Sequence, residues 1–227
     1  MPDIPESVHL GNHVVIEDDV AIGENVVIGH HAVILKGTII EDGVHIGSHC
    51  VLGIQPAANK RMRDISNLQQ PLMIQSGTKI GHLVSIYAGT QIGKNVFIGD
   101  HASIRENVCI KEQSIIGRAA IVELNTTVGK NCTIQTLAYI TGDTILEDDV
   151  FIGPCVSMSN DKYMGTQDYH LKGPFISKGA KIGNNASLLP NIRIGRNTIV
   201  GAGAVVTKNT GDDKVVAGVP AKEIDFN

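Results

Sequence analysis

Apolar residues in this chain recur every six positions, each followed four residues later by a small or branched one. Ile16/Val20, Ile22/Val26, Ile28/Ala32, Ile80/Val84, Ile98/Ala102, Ile116/Ala120, Ile182/Ala186 and Val200/Ala204 are examples among about two dozen such pairs. An amphipathic helix would space its apolar residues near 3.6, and an ordinary strand would alternate without a break. Here alternation lasts three residues, as V-x-I, and then a turn intervenes. Each hexad therefore predicts a short strand plus a corner. Stacked hexads predict an all-β solenoid in which every coil is covered by its neighbours.

Two segments have no such period. They are GIQPAANKRMRDISNLQQP (53–71) and SNDKYMGTQDYHLKGP (159–174), both rich in polar and turn residues. They are expected to leave the coil as loops, and long loops in a compact repeat are usually functional or disordered. The expected organisation is a β-helix over 1–210, with these two loops, and a short C-terminal tail over 211–227.

With three hexads per coil, the units sort into columns. One column of strands begins at Val14, Ala32, Cys50, Val84, Ala102, Ala120, Ala138, Val156, Ala186 and Ala204. The corner before these strands is nearly all glycine, including Gly29, Gly47, Gly81, Gly99, Gly117 and Gly153. The corner after them carries Glu17, Leu35, Gly53, Tyr87, Arg105, Glu123, Thr141 and Ser159. Glycine relieves tight or positive-φ turns, so the glycine-poor corner is expected to follow another path or to serve another task. Both loops leave from it. Between them, Tyr87, Arg105, Glu123 and Thr141 stack, with Asn107 and Asn125 beside them. A cleft walled by the two loops is the functional reading; a ladder of surface side chains is the bland one. His30, His31, His49, His82 and His101 all fall at the glycine-rich corner, where polar positions also simply tolerate histidine.

The units IGENV, IGHHA, IGKNV, IGNNA and IGRNT, with the tail units IVGAGAVVTKN and AGVPAKEI, resemble the hexapeptide-repeat acyltransferases over nearly the whole chain. The resemblance implies a left-handed parallel β-helix of triangular section that works as a homotrimer. SNDKY, LAYIT and VELN are similar to a narrower group that N-acylates amino-dideoxysugars carried on dTDP or UDP. The implied co-substrate is acetyl-CoA or another acyl-CoA, with no metal. In the attack of the sugar amine on the thioester, His101 is the expected general base and His82 its rival. Glu123 would bind the amine or position water. Tyr87, Arg105, Asn125 and Ser85, with Asn160 and Asp161 of the second loop, are expected to contact the acceptor. Lys60, Arg61 and Arg63 of the first loop would hold its diphosphate. The resemblance places CoA along Asn185, Ser187, Ala202 and Gly203, with Lys208 and Lys222 near its phosphates and Pro220 in the bounding GVPAK turn.

Composition narrows the alternatives. A formal net charge of -4 gives no reason to expect nucleic acid or an anionic membrane as partner. No apolar run of about 18 residues and no signal-peptide pattern is present, so a cytoplasmic protein is expected. The four cysteines lack CxxC pairing and read as reduced thiols, two of them packed inward. An O-acetyltransferase of serine or a simple sugar is the main competitor. A γ-type carbonic anhydrase would need an HxxxxH element, which is missing, and a non-catalytic or ice-binding solenoid would need a flat Thr-x-Thr face without loops.

Overall fold

The computed structural model describes residues 4–57, 59, 62–63 and 70–225. Among the described residues the chain forms strands and turns with no helix, hence none long and apolar enough to cross a membrane. The strands assemble into parallel sheets of twelve, ten and nine strands, here called faces A, B and C in the order the chain visits them. The coil is a left-handed parallel β-helix. Face B contains Val15–Ile16, Val33–Ile34, Val51–Ile54, Ser85–Tyr87, Ser103–Ile104, Ile121–Val122, Tyr139–Ile140, Ser157–Met158, Ser187–Leu188 and Val205–Val206. These are the strands of the column sorted above. The last strand, Lys222–Glu223, turns back antiparallel on Val215–Ala217 and closes face A.

The inward residue of each strand explains the period. Ile98, Ile104 and Ile110 are fully buried on three successive faces of one coil, and Ile116 repeats the pattern one rung on. The small residues between them, such as Ala102 and Val108, fill the three vertices. Burying an Ile-sized side chain is worth roughly 1.5–3 kcal/mol relative to exposure, and each coil buries three. Buried threonines also join coils: Thr90 Oγ1 donates to the Arg105 carbonyl at 2.6 Å.

Corner glycine has a different cause from the one expected. All three corners use one residue with positive φ, and it is not the glycine after the buried isoleucine. In consecutive hexads that residue is His101 (59°), Asn107 (55°) and Gln113 (61°). Gly99 is instead forced by proximity: a Cβ there would lie 2.7 Å from the Arg118 amide nitrogen of the next coil. The B–C corner has Arg105 at the position equivalent to Gly99, so a side chain fits where the A–B corner excludes one.

At the B–C and C–A corners the positive-φ residues are mostly Asn, Asp and Gly. At the A–B corner they include His13, His31, His49, Leu83, His101, Ala119, Leu137 and Cys155. The rings of His13, His31 and His49 stack at 5.0 and 4.9 Å. Desolvation in the stack, with the charges of His13, His49 and His30, holds His31 below the ordinary histidine pKa. A base whose folded pKa is depressed binds more protons when unfolded, so its contribution to stability is lost as pH falls below the unfolded value. The N-terminal coils should therefore lose hydrogen-exchange protection between about pH 7.5 and about pH 5, and His31→Asn, which accepts the same φ, should flatten that dependence. Equal pH dependence in the variant would assign the effect elsewhere.

Candidate active site

The glycine-poor edge between faces B and C carries a connected set of polar side chains. The Arg105 guanidinium lies over the Tyr87 ring, 4.7 Å from its centroid. Arg105 donates twice to Glu106, from Nε to Oε2 at 2.8 Å and from Nη2 to Oε1 at 3.1 Å. Glu123, one rung on, stands 3.9 Å from Arg105 Nη1, close enough for charge attraction and too far for a hydrogen bond. The Glu106 carboxylate is only 1% exposed, so its pairing with Arg105 is what makes its burial tolerable. Desolvation alone would favour a neutral Arg105, but Glu106, then Glu123 and Tyr87, outweigh it and raise its pKa.

A second ladder runs beside the first. Asn107 Nδ2 donates to Asn125 Oδ1 at 2.7 Å, and Asn125 Nδ2 to Asp143 Oδ1 at 3.1 Å. Arg63 of the first loop reaches the other carboxylate oxygen of Asp143 at 2.7 Å, without the in-line geometry of a hydrogen bond. The loop leaves the coil at Val51–Ile54, yet Arg63 lies beside the rung of Tyr139–Ile140, four rungs further. Ala88, Glu106 and Gly142 are buried at this corner, while their counterparts Asp18 and Lys36 are exposed. Tyr139 projects from face B beside this set. Desolvation, reinforced by Glu123, raises its phenol pKa, so it stays a protonated donor near Glu123 and Thr141.

The expected acceptor residues separate accordingly. Tyr87, Arg105, Glu123 and Asn125 share the B–C edge, and Ser85 is half-buried on face B, paired with Ser103. Lys60 and Arg61 lie outside the described residues. Arg63 is engaged by Asp143 and is not a free phosphate ligand. In the second loop, Asn160 Nδ2 donates to the Gly142 carbonyl at 3.3 Å. The Asp161 carboxylate accepts from the amides of Tyr163 and Gly165 at 2.8 and 2.7 Å, so both residues have local structural partners. Glu106, Tyr139 and Asp143 belong to the set and were not singled out in the sequence. Tyr139 was within reach of sequence reasoning, because it shares the outward column of Ser85 and Ser103.

The histidines lie at the opposite edge of face B. His82 Nδ1 accepts the Ser48 amide at 2.9 Å, which places the proton of the neutral ring on Nε2 and leaves that ring no free basic nitrogen. His101 is exposed, and its only hydrogen bond among the described residues is made by its backbone, whose N–H donates to the His82 carbonyl at 2.9 Å. Exposed apolar side chains surround it: Leu83, Phe97, Ile115, Ile121 and Leu137. Most of the residues expected along CoA lie on adjacent rungs, and the closing hairpin is tied to them by the Val205 N–H to the Gly218 carbonyl at 3.0 Å and the Ala221 N–H to the Val205 carbonyl at 2.8 Å. Asn185, Ala202 and Gly203 sit at the A–B corner and Ser187 on face B. Lys208 is at the B–C edge, while Pro220 and Lys222 belong to the closing hairpin.

Two family profiles match this coil. One, described as "Bacterial transferase hexapeptide (six repeats)", matches residues 2–36, 22–53 and 173–208. Those stretches carry hexapeptide repeats of this kind, and they lie in the coil described above. The other, "GMPPB C-terminal domain", matches residues 68–167. A serine acetyltransferase from Buchnera aphidicola subsp. Acyrthosiphon pisum (strain APS) is 40% identical over 77 residues, covering 34% of this chain and 27% of that protein. A galactoside O-acetyltransferase from Escherichia coli (strain K12) is 34% identical over 83 residues, covering 34% of this chain and 41% of that protein. The chain thus spans well under half the length of these relatives. Among solved structures, LpxA from Acinetobacter baumannii matches with a TM-score of 0.53 at 16% identity, covering 96% of this chain and 74% of that one. That likeness is one of fold.

Within this hexapeptide-repeat coil, the B–C set is held from both ends: Thr90 fixes the Arg105 carbonyl and Glu106 its guanidinium. Removing the Glu106 charge while keeping its shape isolates the second contact. Glu106→Gln should cost about 1–3 kcal/mol of stability, the range for a lost hydrogen bond to a charged group. It should appear as a lower denaturant midpoint with unchanged slope. A midpoint equal to wild type would show that Arg105 is positioned without Glu106.

Proposed function

We propose that this chain transfers an acyl group, acetyl in the simplest case, from acyl-CoA to the amino group of a nucleotide-linked amino-dideoxysugar. The observation that carries this reading is the charge of the B–C set. Among the described residues, Glu106, Glu123 and Asp143 pair with Arg63 and Arg105, three carboxylates to two guanidinium groups, and Glu123 is the carboxylate with the loosest internal pairing. Such an edge favours an acceptor that arrives as an ammonium over a neutral hydroxyl or an anionic one. The similarity to serine and galactoside acetyltransferases supports the reaction class.

In the reaction, the ammonium docks at Glu123 and loses a proton to solvent. The free amine nitrogen then attacks the thioester carbonyl carbon. The C–N bond forms, the C–S bond breaks, and CoA leaves as a thiolate that takes up a proton. The amine already is a good nucleophile, so alignment of the two substrates supplies much of the acceleration. His101 is the proposed base for the proton released as the amide forms. It lies at the other edge of face B, about 13 Å along an extended chain from Arg105. A neighbouring copy that packs its own A–B edge against this copy's B–C edge would bring its His101 to this copy's acidic set, as a homotrimer can. Acetylation of a hydroxyl on serine or a simple sugar is the second reading, favoured by the similarity to these same relatives.

A thiol-release assay with acetyl-CoA and a panel of dTDP- and UDP-linked amino sugars, serine and galactosides separates the two. Release with amino sugars alone is expected; release with hydroxyl acceptors alone would replace the first reading by the second. His101→Asn, which keeps the backbone geometry, should lower kcat by about 10²–10⁴ with little change in KM. Mixed trimers of His101→Asn and Glu123→Gln chains, each poor alone, should regain activity if the two side chains meet across subunits. Unchanged kcat in His101→Asn would remove that residue from the chemistry.

A further inference from the structure

Diphosphate needs cations, and among the described residues of the first loop Arg63 is already paired with Asp143. Two other cations flank a groove of about 680 Å³ between the second loop and the coils that follow it. On the loop side, Tyr163 and Tyr169 meet edge to face, with ring centroids 5.4 Å apart. On the coil side, Leu189, 38% exposed, and Ile192 form an apolar floor. Lys162 and Lys208 border the same space, and neither has a carboxylate within salt-bridge distance among the described residues. The lining acid, Asp161, is already occupied by two backbone amides. Lys162 Nζ lies over the Tyr163 ring, 5.7 Å from its centroid, so the groove combines aromatic and aliphatic walls with positive charge that no carboxylate neutralises among the described residues.

We propose that this groove binds a nucleotide, with its base against Tyr163, Tyr169 and Leu189 and its phosphates between Lys162 and Lys208. Planar heterocycles gain by packing on aromatic faces and edges. Phosphate oxygens gain by charge-assisted hydrogen bonds from ammonium groups. Neither wall alone distinguishes a nucleotide from a plain anion or a plain apolar ligand; their adjacency does. In the reaction proposed above, two substrates carry such a group: the 3′-phosphoadenosine diphosphate of CoA and the nucleoside diphosphate of the sugar. The shared chemistry is the claim, and the source is read by experiment.

The test is isothermal titration of the full chain with CoA, UDP, dTDP and inorganic pyrophosphate. Either CoA or a pyrimidine nucleotide should bind, more tightly than pyrophosphate and less tightly as salt rises. The Lys162→Ala/Lys208→Ala double variant should weaken that binding at least tenfold, and Tyr169→Ala should weaken it while leaving pyrophosphate unaffected. Both lysines are exposed, so the melting temperature of the double variant should match wild type. The single change Lys208→Glu, outside the loop, should reproduce the loss and guards against loop disruption. Saturation by none of the probes, wild-type affinity in the variants, or equal affinity for pyrophosphate would each overturn the assignment. Binding is read without turnover. A chain that binds nucleotide here but releases no thiol with any acceptor would overturn the transfer reading alone.

Discussion

Everything in this molecule depends on how closely one coil lies against the next. Backbone amides of each rung donate to carbonyls of the following rung along the faces, as in Arg105 to Val122, and to carbonyls of the preceding rung at the vertices, as in His101 to His82, both at 2.9 Å. That contact leaves no space for a Cβ after the buried isoleucine on the A–B corner, and each turn needs one residue in the left-handed region. An L-residue other than Gly, Asn or Asp holds that conformation at a cost of about 1–2 kcal/mol. Two of the three corners avoid most of this cost by using Asn, Asp and Gly. The A–B corner does not: Leu83 and Leu137 adopt φ of 58° and 61° with their side chains exposed to solvent. Strain retained beside exposed apolar surface is what an edge shaped for contact would show, because nothing inside the chain gains from those side chains.

The B–C edge is the complementary case. There the spacing admits side chains where the A–B edge admits glycine, and the chain uses that freedom for charge. Arg105 is the pivot. Its guanidinium balances a buried carboxylate, lies on an aromatic ring and attracts a second carboxylate one rung away. Partial burial strengthens each of these interactions relative to water, and it also makes an unbalanced member costly. The first loop contributes to this balance, since Arg63 ties it to Asp143. Loop, ladder and coil are therefore one electrostatic unit, although its members come from positions 63 to 143 of the chain.

What could be read from the sequence follows from the range of the interaction that decides each feature. The hexad pattern is set by burial at inward positions, which is local and periodic, so the strands of face B and the stacking of Tyr87, Arg105, Glu123 and Thr141 were legible. The role of glycine was misread, because Gly99 responds to Arg118 of the next coil and not to its own φ. Glu106 reads in the sequence as one more polar corner residue; in the fold it is buried and paired with Arg105. Arg63 reads as a phosphate ligand until Asp143, far along the chain, is brought to it. His82 reads as a base until the Ser48 amide is found on its ring nitrogen. Long-range contacts of this kind have no signature in a single sequence.

Face B therefore has two unlike edges, and the strands joining them are too short to bring one to the other. Among the described residues, His101 pairs with no carboxylate, and the carboxylates of the acidic set pair with no histidine. His101 and that set cannot meet within one coil by rotating side chains, because a rigid strand separates them. A second copy would bring them together, and the apolar, strained A–B edge is surface that could receive one. The same reasoning separates the acidic edge from the lysines of the second-loop groove: an ammonium and a phosphate require opposite surroundings. A substrate carrying both must be long enough to lie across the second loop. A sugar attached through a diphosphate to a nucleoside has that extension, and a free amino acid does not.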